Sequence, residues 1–329
     1  MLPNKNIFKE DNKVLITGCA GFIGSHLAKE LVARRFKVIG YDNLSSGKLE
    51  FLNSLKKTRA FRLVVGDINN VKLLDATMQD INWVIHLASN PDIAKSAIDP
   101  TLDFRQGTVL TQLVLESARI HGVNKITYAS GSGVYGIVNE SAIEHVTSML
   151  PVSPYGASKM AGEGLLSAYS AMYGITGLSL RFANVVGNNQ THGVGYDFIN
   201  KLIKNPTELE IWGDGKQSKS YVYVDDIVRG IIYLTKHNGN DYDVFNLANN
   251  DFITVTEIAD IVVAEMNLSN VEYKFTGGTS GFLGDVPSIG LDLRKVHSTE
   301  WRASCSSKEA ITKSVREMLN NLGYNHESL

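Results

Sequence analysis

Cysteine is scarce in this chain of 329 residues: Cys19 and Cys305 are the only two, too few and too far apart for a disulfide framework or a thiolate metal site. No bound metal and a reducing compartment are the expectation. Charge of one sign is also lacking, with 32 Lys and Arg against 34 Asp and Glu and a net charge of −2. That excludes the basic excess of a nucleic-acid-binding surface, so no nucleic-acid partner is expected. Long hydrophobic runs are missing too. The first dozen residues, MLPNKNIFKEDN, offer nothing like a signal peptide, and no stretch reaches the ~20 apolar residues of a membrane span. A cytoplasmic protein with no membrane partner is expected. With 43% hydrophobic and 20% charged residues, the chain has enough apolar material for one large core and a smaller lobe.

Glycine, by contrast, is well supplied and well placed. The segment KVLITGCAGFIG puts Gly18, Gly21 and Gly24 between an apolar strand, Lys13 to Thr17, and a helical pattern beginning at Phe22 and Ile23. Gly18 allows a tight turn, Gly21 lets backbone amides approach a pyrophosphate, and Gly24 lets the helix pack on a sheet, with the positive helix end facing the anion. About twenty residues on, Asp42 ends a second apolar strand, where an acid accepts hydrogen bonds from an adenosine ribose. Asn43, Leu44, Ser45 and Ser46 follow it. None is an arginine suited to a 2′-phosphate, so NAD is favoured over NADP; Lys48 is the nearest exception.

Apolar β-rich runs recur at 13–17, 37–41, 61–65, 83–87, 125–129 and 177–181, mostly separated by helical patterns. This alternation predicts an α/β fold, a Rossmann-type doubly wound parallel sheet, with ligands outside the carboxyl ends of its strands. After Asn184 the composition turns to Gly, Asn and His, which marks a smaller C-terminal α/β substrate lobe. The expected division is 1–185 plus 221–250 for the cofactor domain and 186–220 plus 251–329 for the lobe. The chain is expected to rejoin the sheet around Tyr221–Gly230 and Val244–Leu247.

The chemistry centres on PYGASK, which opens a helix and sets Tyr155 and Lys159 four residues apart on one face. A phenol titrates near ~10, so work as a base near neutrality needs a fall of roughly three units. The Lys159 ammonium and a neighbouring nicotinamide cation could supply it. Upstream, Ser130 and Ser132 stand in a hydroxyl-rich strand end, where a carbonyl-polarising donor would be wanted.

With these motifs in hand, the chain resembles the extended short-chain dehydrogenase/reductases, in their nucleotide-sugar epimerase/dehydratase group. The likeness covers nearly the whole length. It rests on TGCAGFIGSHL, YDNLSSG, GDI, HLAS, YASGSGVYG, PYGASKMAGE, LRFANVVG and KSYVYVDD. It implies that Asp67 and Ile68 border the adenine, that Asn43, Ser46, Leu87, Ala88 and Ser89 line the cofactor, and that Asn90, Asn184, His192 and Tyr196 face a nucleotide sugar. It also implies a homodimer built on helices near Thr108–His121 and after Tyr155. In the implied mechanism Tyr155 takes a proton from a sugar hydroxyl while hydride passes to NAD, giving a keto-sugar.

Four departures qualify the likeness. The position that usually bears a catalytic serine or threonine is Gly131, with Ser130 or Ser132 as substitutes. The Asp-Glu pair of sugar dehydratases is replaced by Ser132 and Gly133, which speaks against dehydration. Lys219 and Phe282 stand where relatives clamp the diphosphate with arginines, and Phe104 replaces a common asparagine. The leading expectation is a nucleotide-sugar 4-epimerase. A net nucleotide-sugar dehydrogenase or keto-sugar reductase is the alternative, and a non-catalytic NAD-binding regulator the third reading.

Overall fold

The apolar runs pair edge to edge in a computed structural model that describes residues 12–90, 93, 95–279, 281 and 284–324. Strands β1 (Lys13–Thr17), β2 (Lys37–Asp42), β3 (Phe61–Val65), β4 (Trp83–His86), β5 (Lys125–Gly131), β6 (Thr176–Phe182) and β7 (Tyr242–Leu247) form one sheet. Its order is β7-β6-β5-β4-β1-β2-β3 and every neighbouring pair is parallel. Parallel neighbours require crossovers, and the helices that make them cover both faces. The alternation of β1 shows this directly. Val14 and Ile16 are buried in a core shared with Leu27 and Leu31, whereas Leu15 lies in a second core with Val84, Leu115 and Leu166.

The helices are α1 (Phe22–Ala33), α2 (Val71–Met78), α3 (Leu110–Ile120), α4 (Pro154–Tyr173), α5 (Val194–Lys204), α6 (Val224–His237), α7 (Val255–Glu265) and α8 (Ser307–Asn321). A π-helical turn, Phe104–Val109, leads into α3. The catalytic-helix candidate α4 starts sharply because Ser153 caps it, accepting from the Gly156 amide, with Pro154 in its first turn.

One part of the sequence reading is corrected. Tyr221–Gly230 does not rejoin the large sheet: Tyr221–Tyr223 pairs with Asn184–Val186 in a separate two-stranded sheet, and the chain then enters α6. Asp225 and Asp226 in the first turn suit the positive end of a helix, so the apolar run that follows them is a helix face rather than a strand. Only Tyr242–Leu247 joins β6. The remaining C-terminal elements build a third core from Phe198, Leu202, Leu209, Ile258, Val262 and Ile311. Both α7 and α8 open with reciprocal capping boxes, Thr254 with Glu257 and Ser306 with Glu309.

The two parts are tied close to the glycine turn. His26 Nε2, on α1, donates to the Asn188 carbonyl (2.9 Å), and Asn189 Nδ2 donates to the Ser25 hydroxyl (3.2 Å). The loop that carries His192 is thereby fastened to the opening turns of α1.

Candidate active site

The sheet order reverses at β1 and β4, and a cleft of about 1100 Å³ opens outside the strand ends there, the expected ligand position in a doubly wound sheet. Gly18 sits at φ +71°, and a Cβ on Gly24 would lie 2.2 Å from the Gly18 carbonyl oxygen. No side chain therefore fits where the helix meets the turn. The amino end of α1 carries neither a capping side chain nor an acidic residue in its first turn, so its backbone donors are left for an anion. Phe22 and Ile23 line the cleft with these glycines.

Asp42 lies at the end of β2 and is buried, its carboxylate accepting from the Ala20 and Leu44 amides (both 2.8 Å). Burial pushes its carboxyl above the usual range while the two amides pull the other way. Each oxygen keeps lone-pair capacity for a ribose hydroxyl. Lys48 lies 3.7 Å from Glu50 in an exposed ion pair. Asp67 accepts from Asn43 Nδ2 and from the Asn69 amide and side chain, which holds its carboxyl below the usual range. Ser46, Ile68, Leu87, Ala88 and Ser89 complete this wall.

Farther along, Lys159 is buried, and its ammonium donates to Ser89 Oγ (3.1 Å) and to the Ala129 carbonyl (2.9 Å). One of its three N–H groups remains available for a ribose hydroxyl. Its Nζ lies 5.5 Å from the centre of the half-buried Tyr155 ring. Burial lowers the Lys159 pKa to about 8, against the opposing pull of Asp103 and Glu163. The Tyr155 phenol is pushed up to about 12, first by burial and then by the negative charge of Asp103. The sequence reading expected Lys159 and a nicotinamide cation together to lower the phenol; in the chain without the cofactor, burial and Asp103 raise it.

The other candidate residues divide. Ser132 begins the short 3₁₀ turn Ser132–Val134 and lines the cleft with Asn184, His192 and Tyr196. Ser130 also lines the cleft, and its hydroxyl donates to the buried Glu163, whose carboxylate also accepts from Arg181 Nε (2.9 Å) and Nη2 (2.6 Å). Arg181 Nη1 continues the network to the Tyr135 hydroxyl, which donates to Asn246. Asn90 is buried, and its Nδ2 donates to Asp103 (2.9 Å). Lys219 lines the cleft, but its ammonium is ion-paired with Asp285. Phe282 lies outside the described residues.

Two residues were missed by sequence reasoning. Asp103, 1% exposed, accepts from Ser96 as well as Asn90, and nothing in its local sequence distinguishes it from a surface acid. Trp212, half exposed in the cleft, did carry a signal, because an aromatic in a glycine-rich turn has little core to join. Asp103 gives a test. Asp103→Asn removes a charge that opposes phenolate, so the acidic limb of the kcat/KM profile should move to lower pH relative to the parent.

The sequence profile of the NAD dependent epimerase/dehydratase family matches residues 14–248. The chain belongs to this family. A putative UDP-glucose 4-epimerase of Methanocaldococcus jannaschii is 32% identical over 314 residues, 94% of this chain and 99% of that one. A crystal structure of a UDP-galactose 4-epimerase is 35% identical, with a TM-score of 0.84, over 94% of this chain and 99% of that one. The Bacillus cereus UDP-glucuronic acid 4-epimerase in complex with UDP-glucuronic acid and NAD is 25% identical, with a TM-score of 0.85, over 94% and 99% of the two chains. This epimerase/dehydratase family member is therefore an NAD-dependent enzyme of the extended short-chain dehydrogenase type, and its glycine turn, uncapped helix and Asp42 fit that cofactor. Among the described residues no helix is long and apolar enough to cross a membrane.

Proposed function

We propose that the protein is a nucleotide-sugar 4-epimerase that works through a keto-sugar. The observation that carries this reading is the placement of the Tyr155 phenol and the Lys159 ammonium in the same cleft as the glycine turn. The relatives support it, since those described above bear the names of UDP-sugar 4-epimerases. Residues 186–220 and 251–329 form the substrate-binding part.

Tyr155 Oη is the base. It takes the proton of the sugar hydroxyl and returns it to the oxygen after the keto-sugar has turned over in the site. Held by the glycine turn, Asp42 and Lys159, oxidised NAD would supply a reversible hydride acceptor for the sugar carbon and a positive charge beside the phenol. Lys159 holds the ribose hydroxyls and adds its own charge. Ser132, whose hydroxyl has no partner among the described residues, donates to the reacting oxygen in place of the side chain missing at Gly131. No acidic pair stands at Ser132 and Gly133 to eliminate water, which favours epimerisation over dehydration.

Incubation with UDP-, GDP- and dTDP-sugars, followed by product stereochemistry and NADH absorbance, tests the reading. An inverted hydroxyl without accumulating NADH is expected; stoichiometric NADH with no epimer would instead establish the net dehydrogenase.

The enzyme is further proposed to be a homodimer formed through α3 and α4. Ile120 at the end of α3 and Met172 on α4 are exposed large apolar side chains, Met172 at 71%, and a packed partner helix would cover them. Met172→Glu should shift the mass measured by light scattering from dimer towards monomer.

A further inference from the structure

Lys159 is 3% exposed, yet the groups that hydrogen-bond its ammonium, the Ser89 hydroxyl and the Ala129 carbonyl, are both neutral. Two carboxylates act on it only from a distance. Asp103 is engaged by Ser96 and Asn90, and Glu163 by Arg181 and Ser130. A cation withdrawn from water in this way needs a further partner. Tyr128 of β5, 2% exposed, stands where that partner is wanted, its ring centre 5.2 Å from Lys159 Nζ. The negative face of an aromatic ring attracts a cation at this range, most strongly where water is excluded. The Tyr155 ring lies at 5.5 Å, but its phenol is the group that the ammonium serves.

The Tyr128 ring is fixed from two sides. A Cβ on Gly162, one turn beyond Lys159 on α4, would lie 2.3 Å from Tyr128 Oη, so the helix admits the phenol because that position is bare. Against the ring stacks His86, with centroids 5.7 Å apart and 28° between the planes. Its protonation follows from its partners. Thr111 Oγ1 gives its one proton to the Gly107 carbonyl (2.7 Å) and so accepts from His86 Nε2 (3.1 Å), which leaves Nδ1 to accept from the Thr17 hydroxyl (2.7 Å). His86 is therefore neutral, held down to about 3 by burial and by the Lys159 charge, and brings no second cation to the ring.

We infer that Tyr128 is a positioning residue whose ring face keeps the Lys159 ammonium charged and aimed at the cofactor ribose. This rests on the ribose contact assigned to Lys159 in the proposed function, and it adds a residue that does not itself line the cleft. The titratable groups around Lys159 are His86 on β4, Tyr128 on β5, Tyr155 and Glu163 on α4, and Asp103 before the π-helical turn. Burial lowers His86 and raises both phenols, so Lys159, at about 8, titrates apart from them.

The test replaces Tyr128 in the full chain by Phe and then by mono-, di- and trifluorophenylalanine, which keep the shape of the ring while draining its face of charge. In the NAD-free protein, lysine labelled with carbon-13 at Cε reports the titration of Lys159, its signal assigned by its absence from Lys159→Met. Calorimetry reports NAD affinity near pH 6 and near pH 8. Tyr128→Phe should titrate as the parent does. Along the fluorinated series the charged form is held less well, so the midpoint should fall stepwise by about one pH unit, or about tenfold in proton affinity. NAD binding should then weaken by about threefold or more near pH 8 and by less than about twofold near pH 6, with Tm unchanged. A midpoint that stays at the parent's value through the series overturns the inference, as does NAD binding that weakens equally at both pH values. If Lys159→Met binds NAD as tightly as the parent, the ribose contact of the proposed function fails and takes the inference with it. A flat series beside a weakened Lys159→Met removes Tyr128 alone.

Discussion

Tyr155→Phe should lower kcat by about 10²- to 10⁴-fold, the range contributed by a positioned proton-transfer group, while the variant purifies with as much NAD as the parent. The change removes one oxygen at the cleft and leaves the ring beside Lys159 in place, so Tm should move little. Lys159→Met should behave differently. Its ammonium donates to Ser89 and Ala129 and keeps one N–H for the ribose, so both retained NAD and kcat should fall. Parental turnover by the Tyr155→Phe variant on a verified sugar nucleotide would remove Tyr155 from the mechanism. Absorbance of the phenolate gives a readout separate from turnover. In the NAD-free protein Tyr155 should stay protonated through neutral and mildly alkaline pH, because burial holds its pKa at about 12, and NAD⁺ should bring its ionisation to lower pH.

Arg181→Met should cost about 3–5 kcal/mol of stability, the usual penalty for leaving one member of a buried ion pair without its partner. Glu163 and Arg181 side chains are 4% and 3% exposed, so water does not replace what is lost. Urea denaturation measures the effect. The double variant Arg181→Met with Glu163→Gln should recover much of the loss, because the stranded charge is then gone. If the single variant is as stable as the parent, the pair is not what holds β5, β6 and α4 together.

The large sheet was legible in the sequence because each strand is a short apolar run closed by a turn or a helix start, and the glycine turn was legible because its spacing answers a steric need at Gly18 and Gly24. What local pattern did not carry was tertiary in origin. β5 runs on to Gly131, past the expected end at Ala129, because Phe182 of β6 pairs with it there. The stretch after Tyr221 reads equally well as strand or helix face, and only its separation from the large sheet decides. Ser130 and Ser132 are alike in sequence and both line the cleft; the fold alone gives Ser130 the buried Glu163 as a partner. The raised phenol could not be read at all, since it depends on how deeply Tyr155 is set and on Asp103, an acid 52 residues away in the chain whose burial is a product of folding.

The ties from His26 to Asn188 and from Ser25 to Asn189 carry a thermodynamic obligation. They run from the helix that opens at the glycine turn to the loop that carries His192, and residues of both line the cleft. Any free energy by which an occupant of one side tightens the other is the same read in reverse. Where an occupant of that loop strengthens these ties, it makes an occupant of the helix end harder to lose by the same factor.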